Sequence, residues 1–212
     1  MIPCMIVPIL KGPEILYRML ETIDYPIRKL IIIDNGDALR HSGGWPIEHV
    51  QSTKVIKMPA NLGVAGSWNL GIKADPFAPW WLIANYDVEW PSGSLRAFYE
   101  QAGEGIMLAQ SPQPWSAFAL SEDAVKRIGL FDEGFHPAYF EDNDYELRAM
   151  LEGVKITRSQ IPIIHHNSST LQFFGERNNA TYANNADYWQ RKREKPNEGG
   201  WSLERRRVNS WD

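Results

Sequence analysis

The chain of 212 residues has one cysteine, Cys4, in an apolar segment, so neither a disulfide framework nor a cysteine-based zinc site is available, and a reducing compartment fits. It has no excess of positive charge. Against 22 Lys and Arg stand 26 Asp and Glu, a formal net charge of -4, which gives no global field to hold a nucleic-acid backbone. Long apolar runs are missing as well. The N-terminal MIPCMIVPIL is interrupted by Pro3 and Pro8 and runs into LysGlyPro, too short to span a bilayer and without the basic start of a signal peptide. The expectation is a cytoplasmic protein without a transmembrane segment, in which the sequons at Asn167 and Asn179 are chance matches. No GxGxxG, no GlyLys followed by Ser or Thr, no Gly-x-Ser-x-Gly and no internal repeat occurs, which weakens dinucleotide, P-loop and serine-hydrolase readings.

What is present is a core. With 43% hydrophobic and 23% charged residues, the chain fits one globular domain or a domain with a small appendage. Its first half alternates strands and helices, which favours an α/β sandwich around a mostly parallel sheet. MIVPIL reads as the first strand; PEILYRMLETI follows as a helix with Pro13 at its start and Ile15, Leu16, Met19, Leu20 and Ile23 on one face. KLIIID is a nearly continuous β-branched run ending at Asp34, as expected for a strand covered on both faces. VIKMP reads as a third strand, NLGVAGSWNLGIKAD as a glycine-bearing loop entering a helix, and WWLIANYDVEW as one further strand. GIMLAQ is a later strand, and EDAVKRI a short helix capped by Ser121 and closed by Gly129. Ligands of such sheets bind at the carboxyl ends of the strands, where Asp34, Asn61 and Asp87 fall. From about Gly175 the tail is polar, with Trp189 and Trp201 as anchors.

Three constellations carry chemistry. In ANYDVEW, Asp87 and Glu89 lie two positions apart, so on an extended strand both point the same way and can share a hard divalent cation. His165 and His166 follow the apolar IPII; one imidazole faces inward and the other away, and either can add nitrogen to a carboxylate-held metal. The third is YFEDNDYELR, where Glu141, Asp142 and Asp144 crowd the start of a helix whose apolar stripe reads Leu147, Met150, Leu151 and Val154. Helix capping explains one or two acids there, whereas a third adds like-charge repulsion. Gly63, Gly66 and Gly71 serve either close packing of a helix on the sheet or close approach of a nucleotide, and the sequence leaves both open. Of the nine tryptophans, Trp80 and Trp81 read as core, while Trp68, Trp90 and Trp115 adjoin the loops of interest and are sugar-stacking candidates.

In order and spacing these segments resemble the GT-A glycosyltransferases of family 2, in particular the rhamnosyltransferase-like branch, over residues 1–172. The resemblance implies a GT-A fold with a nucleotide-binding half at about 1–90, an acceptor half at about 91–172, and a short extension over 173–212. It implies that Asp34 contacts the base of the donor, with Pro8, Asn61, Gly63, Gly66, Asn69 and Asn85 also binding the donor. Asp87 with His165 or His166 would hold Mn²⁺ or Mg²⁺ on the diphosphate, although Asn85 stands where the family's metal motif has its first Asp. Asp142 would be the general base and Glu141 its partner at the acceptor, which Trp115 and Asp144 would also bind.

The implied reaction is inverting transfer of a hexose or deoxyhexose from a UDP- or dTDP-sugar to a hydroxyl acceptor. KREKPNEGGW faintly resembles a late stretch of such enzymes and would fold back as a lid. Two rivals stand beside this reading. A noncatalytic nucleotide- or carbohydrate-binding module of the same fold is favoured by Asn85. A nucleotidyltransferase would need a basic glycine-rich N-terminal loop, where the chain has only LysGlyPro.

Overall fold

The computed structural model describes residues 1–39, 47–166 and 169–194. Its centre is a seven-stranded sheet. In chain order the elements are β1 (Met5–Ile9), α1 (Pro13–Glu21), β2 (Ile27–Asp34), β3 (Val50–Lys57), α2 (Gly63–Ala74), β4 (Trp80–Ala84) and β5 (Val88–Glu89). Then follow α3 (Ser94–Gln101), β6 (Ile106–Gln110), a 3-10 turn (Pro114–Ser116), β7 (Ala117–Ser121), α4 (Glu122–Ile128), α5 (Glu141–Leu151), β8 (Ile156–Pro162), β9 (Ile164–His165) and α6 (Ser169–Glu194). The order across the sheet is β3-β2-β1-β4-β7-β6-β8, and β7 alone runs antiparallel to both of its neighbours.

Alternation along the strands builds two cores, one on each face of the sheet. Leu30 and Ile32 of β2 turn to the face covered by α1 and α3, where Leu16, Met19, Leu95 and Phe98 are buried. Ile31 and Ile33 turn to the other face, packed with Trp68 and Ile72 of α2, Val125 of α4 and Tyr145 of α5. Burial on both faces is why the β2 run is continuously apolar.

On that second face α2 lies close against β1. A Cβ added at Gly71 would sit 2.3 Å from Cγ2 of Ile6, so of the two roles left open for the glycines, this one serves helix-on-sheet packing. Gly71→Ala is accordingly expected to destabilise the fold by about 1–3 kcal/mol through overpacking, read from urea unfolding. No loss of stability would mean that the helix can move off the strand at little cost.

The sequence reading needs three corrections. WWLIANYDVEW is not one strand, because β4 ends at Ala84, a turn follows, and β5 leaves the main sheet to pair antiparallel with β9. β7 went unrecognised: Ala117–Ser121 is short and buried throughout, so it shows no alternation. On α5 the inner face is Glu141, Asp144, Tyr145, Arg148 and Ala149, whereas Met150 and Leu151 of the expected stripe are exposed. Asp144 and Arg148 take inner positions because they pair with each other, and Asp144 also meets Lys192. α6 runs through the expected boundary at 172–173 and takes in the first three residues of the expected lid, 192–194; the rest of that lid, Trp201 and Asn167 lie outside the described residues.

Candidate active site

A cavity of about 650 Å³ opens at the carboxyl ends of β1, β2 and β4, where loops from both halves of the chain converge. Pro8, Asn35, Asn61 and Gly63 lie on its wall from the first half, and Trp115, Glu141, Asp142 and His165 from the second.

Gly63 shows why its position favours glycine. Its φ is +73°, and a Cβ there would lie 2.7 Å from the carbonyl oxygen of Pro137, to which the next residue, Val64, donates its N–H at 2.8 Å. The N-terminus of α2 is thereby joined to the loop before α5. Asn61 prepares this approach by accepting the Gly63 N–H on Oδ1 at 2.9 Å.

Three of the residues expected at the donor, Asp34, Asn69 and Gly66, are engaged in the scaffold and lie off the cavity wall. Asp34 is fully buried and absent from the cavity wall; its carboxylate accepts N–H bonds from Gly36, Ala38 and Leu39 at 3.3, 2.9 and 3.0 Å. An acid followed by a turn sequence folds that turn around itself. Its neighbour Asn35 reaches the cavity, donating to Ser67 Oγ and accepting from the Leu62 N–H. Asn69 is also fully buried, bonding Phe131 through both its N–H and C=O groups and donating to Glu133. Gly66 packs against Leu62 and Glu133, away from the cavity wall.

Asn85 and Asp87 lie in the break between β4 and β5, and both face the cavity. Across the ribbon, Val88 pairs with His165, which brings His165 Nε2 to 3.1 Å from Asp87 Oδ1. The ring's other nitrogen lies 3.0 Å from Ser116 Oγ and 3.5 Å from Gln113 Oε1. Glu89 faces the other histidine, its Oε1 2.8 Å from His166 Nε2, on the more exposed side. The two carboxylates therefore do not share one ion, and His166 is not on the cavity wall. Among the described residues no group of three or more His, Cys, Asp or Glu side chains gathers as a ligand set. Asp87 and His165 nevertheless suit a divalent ion completed by ligand oxygens, because Ser116 and Gln113 can each accept a proton from Nδ1 while Nε2 binds.

At the opposite wall, α5 begins with the acids. Glu141 is 7% exposed, and its Oε2 has no hydrogen-bond partner among the described residues. Burial, then the charge of Asp142, push its carboxyl up to about 8 from 4.5. Asp142 is only half buried; burial raises its pKa, against which the Asn143 N–H at 2.8 Å works.

Asp144, expected at the acceptor, is fully buried and not on the cavity wall. Its Oδ2 meets Arg148 Nε at 2.9 Å, and its Oδ1 contacts the Lys192 ammonium of α6. The third acid of the crowded turn is thus a structural charge. Trp115 does line the cavity, its indole N–H donating to Glu146 at 3.2 Å. Trp68 touches the cavity but is edge-packed on Phe118 and Phe131, while Trp90 is core beside Phe98. Sequence reasoning missed Asn35, Ser116, Tyr139 and Thr181, uncharged residues that only the fold brings to the cavity.

Glu141 also allows a stability prediction. In the unfolded chain its carboxyl releases a proton near 4.5, and in the fold near 8. Between these values the native state holds the extra proton, so this group's contribution falls as pH rises through the window. Glu141→Gln should gain on the wild type as pH rises, by a few kcal/mol above the window, in urea unfolding at mildly acid and mildly alkaline pH. An advantage that does not grow with pH would mean an ionised Glu141.

The mixed sheet flanked by helices, with its cavity at the strand ends, is the GT-A arrangement. The crystal structure of S. aureus TarS 1–349 in complex with UDP-GlcNAc superposes with TM-score 0.57 at 15% identity, covering 76% of this chain and 57% of that one. The catalytic domain of Drosophila β1,4-galactosyltransferase 7 with xylobiose gives TM-score 0.56 at 12% identity, over 78% and 70%. By sequence, 88 residues are 34% identical to a Leishmania donovani galactofuranosyl glycosyltransferase. That match spans 41% of this chain and a fifth (20%) of the relative's length. No protein-family model matches.

Proposed function

We propose that this chain is an inverting glycosyltransferase of the family 2 kind, moving a hexose or deoxyhexose from a UDP- or dTDP-sugar to a hydroxyl acceptor. The observation that carries this reading is one cavity with Asp142 and Glu141 on one wall and the pair Asp87 and His165 on another. Support comes also from similar proteins that are named as glycosyltransferases or hold a nucleotide sugar.

In this mechanism Asp142 takes the proton of the acceptor hydroxyl as its oxygen bonds to the anomeric carbon, and the bond from that carbon to the diphosphate breaks on the opposite face. Glu141, holding its proton at neutral pH, hydrogen-bonds and orients the acceptor. Trp115 offers the acceptor an aromatic wall.

The donor end supports a metal requirement. The described wall carries the carboxylates of Asp87 and Asp142 but no Lys or Arg, so a diphosphate entering it meets negative charge and needs a compensating cation. Asp87 and His165 would hold Mn²⁺ or Mg²⁺, which supplies positive charge against the leaving diphosphate. In this reading residues 1–172 form the catalytic body, 173–212 an extension, and the protein works in the cytoplasm.

The test is calorimetry of UDP, dTDP and their sugars with Mn²⁺ and with EDTA, followed by a transfer assay on hydroxyl acceptors. Metal-dependent binding of one base with turnover supports the proposal. Binding without turnover assigns the noncatalytic module, and no binding of any nucleotide ends the reading.

A further inference from the structure

The turn that delivers Glu141 and Asp142 is built from residues that resist its conformation. Tyr139 and Phe140, immediately before α5, have φ of +81° and +71°, the left-handed region that bulky aromatic side chains rarely occupy. Such a conformation persists only where surrounding contacts over-determine it. Those contacts come largely from α6. Asn185, 5% exposed, donates Nδ2–H to the carbonyl of Ala138 at 2.7 Å, with the carbonyls of His136 and Tyr139 at 3.4 and 3.5 Å. The Tyr182 ring packs against Tyr139 and Phe140, with centroids 5.4 and 5.1 Å apart.

One helical turn beyond Asn185, Tyr188 donates its hydroxyl to Asp132 Oδ2 at 2.8 Å, and its ring packs on Phe135. One turn further, the buried Lys192 ammonium reaches Asp132 Oδ2 at 2.7 Å and also contacts Asp144. Burial alone would raise the Asp132 carboxyl, but Lys192 and the hydrogen bonds hold it at about 2. Asp132 lies in the loop between α4 and α5 and Asp144 in the first turn of α5, so one cation ties that loop to the start of the helix that carries the acids.

We propose that Tyr182, Asn185 and Lys192 are positioning residues, which hold the turn at 139–140 and the first turn of α5 so that Glu141 and Asp142 face the cavity. The helix beyond the body is then part of the active site. The inference rests on the reading of Asp142 and Glu141 as the acceptor-side pair, and its test uses the protein itself so that the two can fail separately.

Asn185→Ala in the full chain removes the donor to the loop without touching the buried charges. By hydrogen exchange, amides of 136–146 should exchange about tenfold faster or more, while β1 and β2 keep their wild-type rates. By carboxyl carbon NMR, the Glu141 titration should move down toward the ordinary glutamate range as water reaches the acid. Lys192→Met should produce the same two changes to a larger extent; if it does not fold, Asn185→Ala alone decides. Unchanged exchange and titration in Asn185→Ala overturn the proposal. So does equal acceleration across the whole chain, which would mean a general loss of stability. Absence of nucleotide binding by the wild type would instead count against the transferase reading alone.

Discussion

Asp142→Asn is expected to lower sugar transfer by about 10²- to 10⁴-fold while nucleotide binding stays within about twofold of wild type. The amide keeps the size of the carboxylate and can still accept the Asn143 N–H on its oxygen, so the loss isolates proton abstraction. Burial raises the proton affinity of Asp142, which strengthens it as a base but ties activity to its ionisation. Transfer should therefore fall on the acid side, as Asp142 takes up its proton. Glu141→Gln provides the contrast, since an amide can replace a protonated acid as a hydrogen-bond donor. It should retain far more turnover at neutral pH than Asp142→Asn. Near-normal turnover in Asp142→Asn would remove Asp142 from the base role, and equal losses in the two variants would leave the division of labour unsupported.

Asp87→Ala should cost about 100-fold or more in UDP affinity measured with Mn²⁺, and EDTA should do the same to the wild type. The size follows from the charge of the wall, where no Lys or Arg among the described residues can replace the ion. His165 keeps its support from Ser116 in the variant, so the loss reports the missing carboxylate and not a collapsed ring. Calorimetric titration with and without metal reads both effects. Equal affinity under all three conditions would assign the pair Asp87 and His165 to structure alone.

Much of this was legible in the sequence because it rests on local rules. Continuous burial wrote the β2 run; Ser121 capped its helix, with Oγ accepting the Ala124 N–H; and crowded acids marked the start of α5. What the sequence concealed depends on distant partners. Asp144 resembled its neighbours until Lys192, far along the chain, came to meet it, and the same pairing inverted the face on which α5 packs. Asp34 resembled a ligand group because its bonds to the loop N–H groups exist only once the turn has closed. The tail did carry a signal: Tyr182, Asn185, Tyr188, Trp189 and Lys192 recur at helical spacing, but the stripe is polar and aromatic and so escapes a search for apolar periodicity.

The small ribbon of β5 and β9 carries its own control experiment. Two acid and imidazole pairs sit on it, Asp87 with His165 inside and Glu89 with His166 nearer solvent. Each pair joins a carboxylate to an imidazole Nε2, and their surroundings differ. In one spectrum of the two rings, any response to salt or metal seen at both belongs to the pairing itself. A response confined to His165 belongs to the cavity.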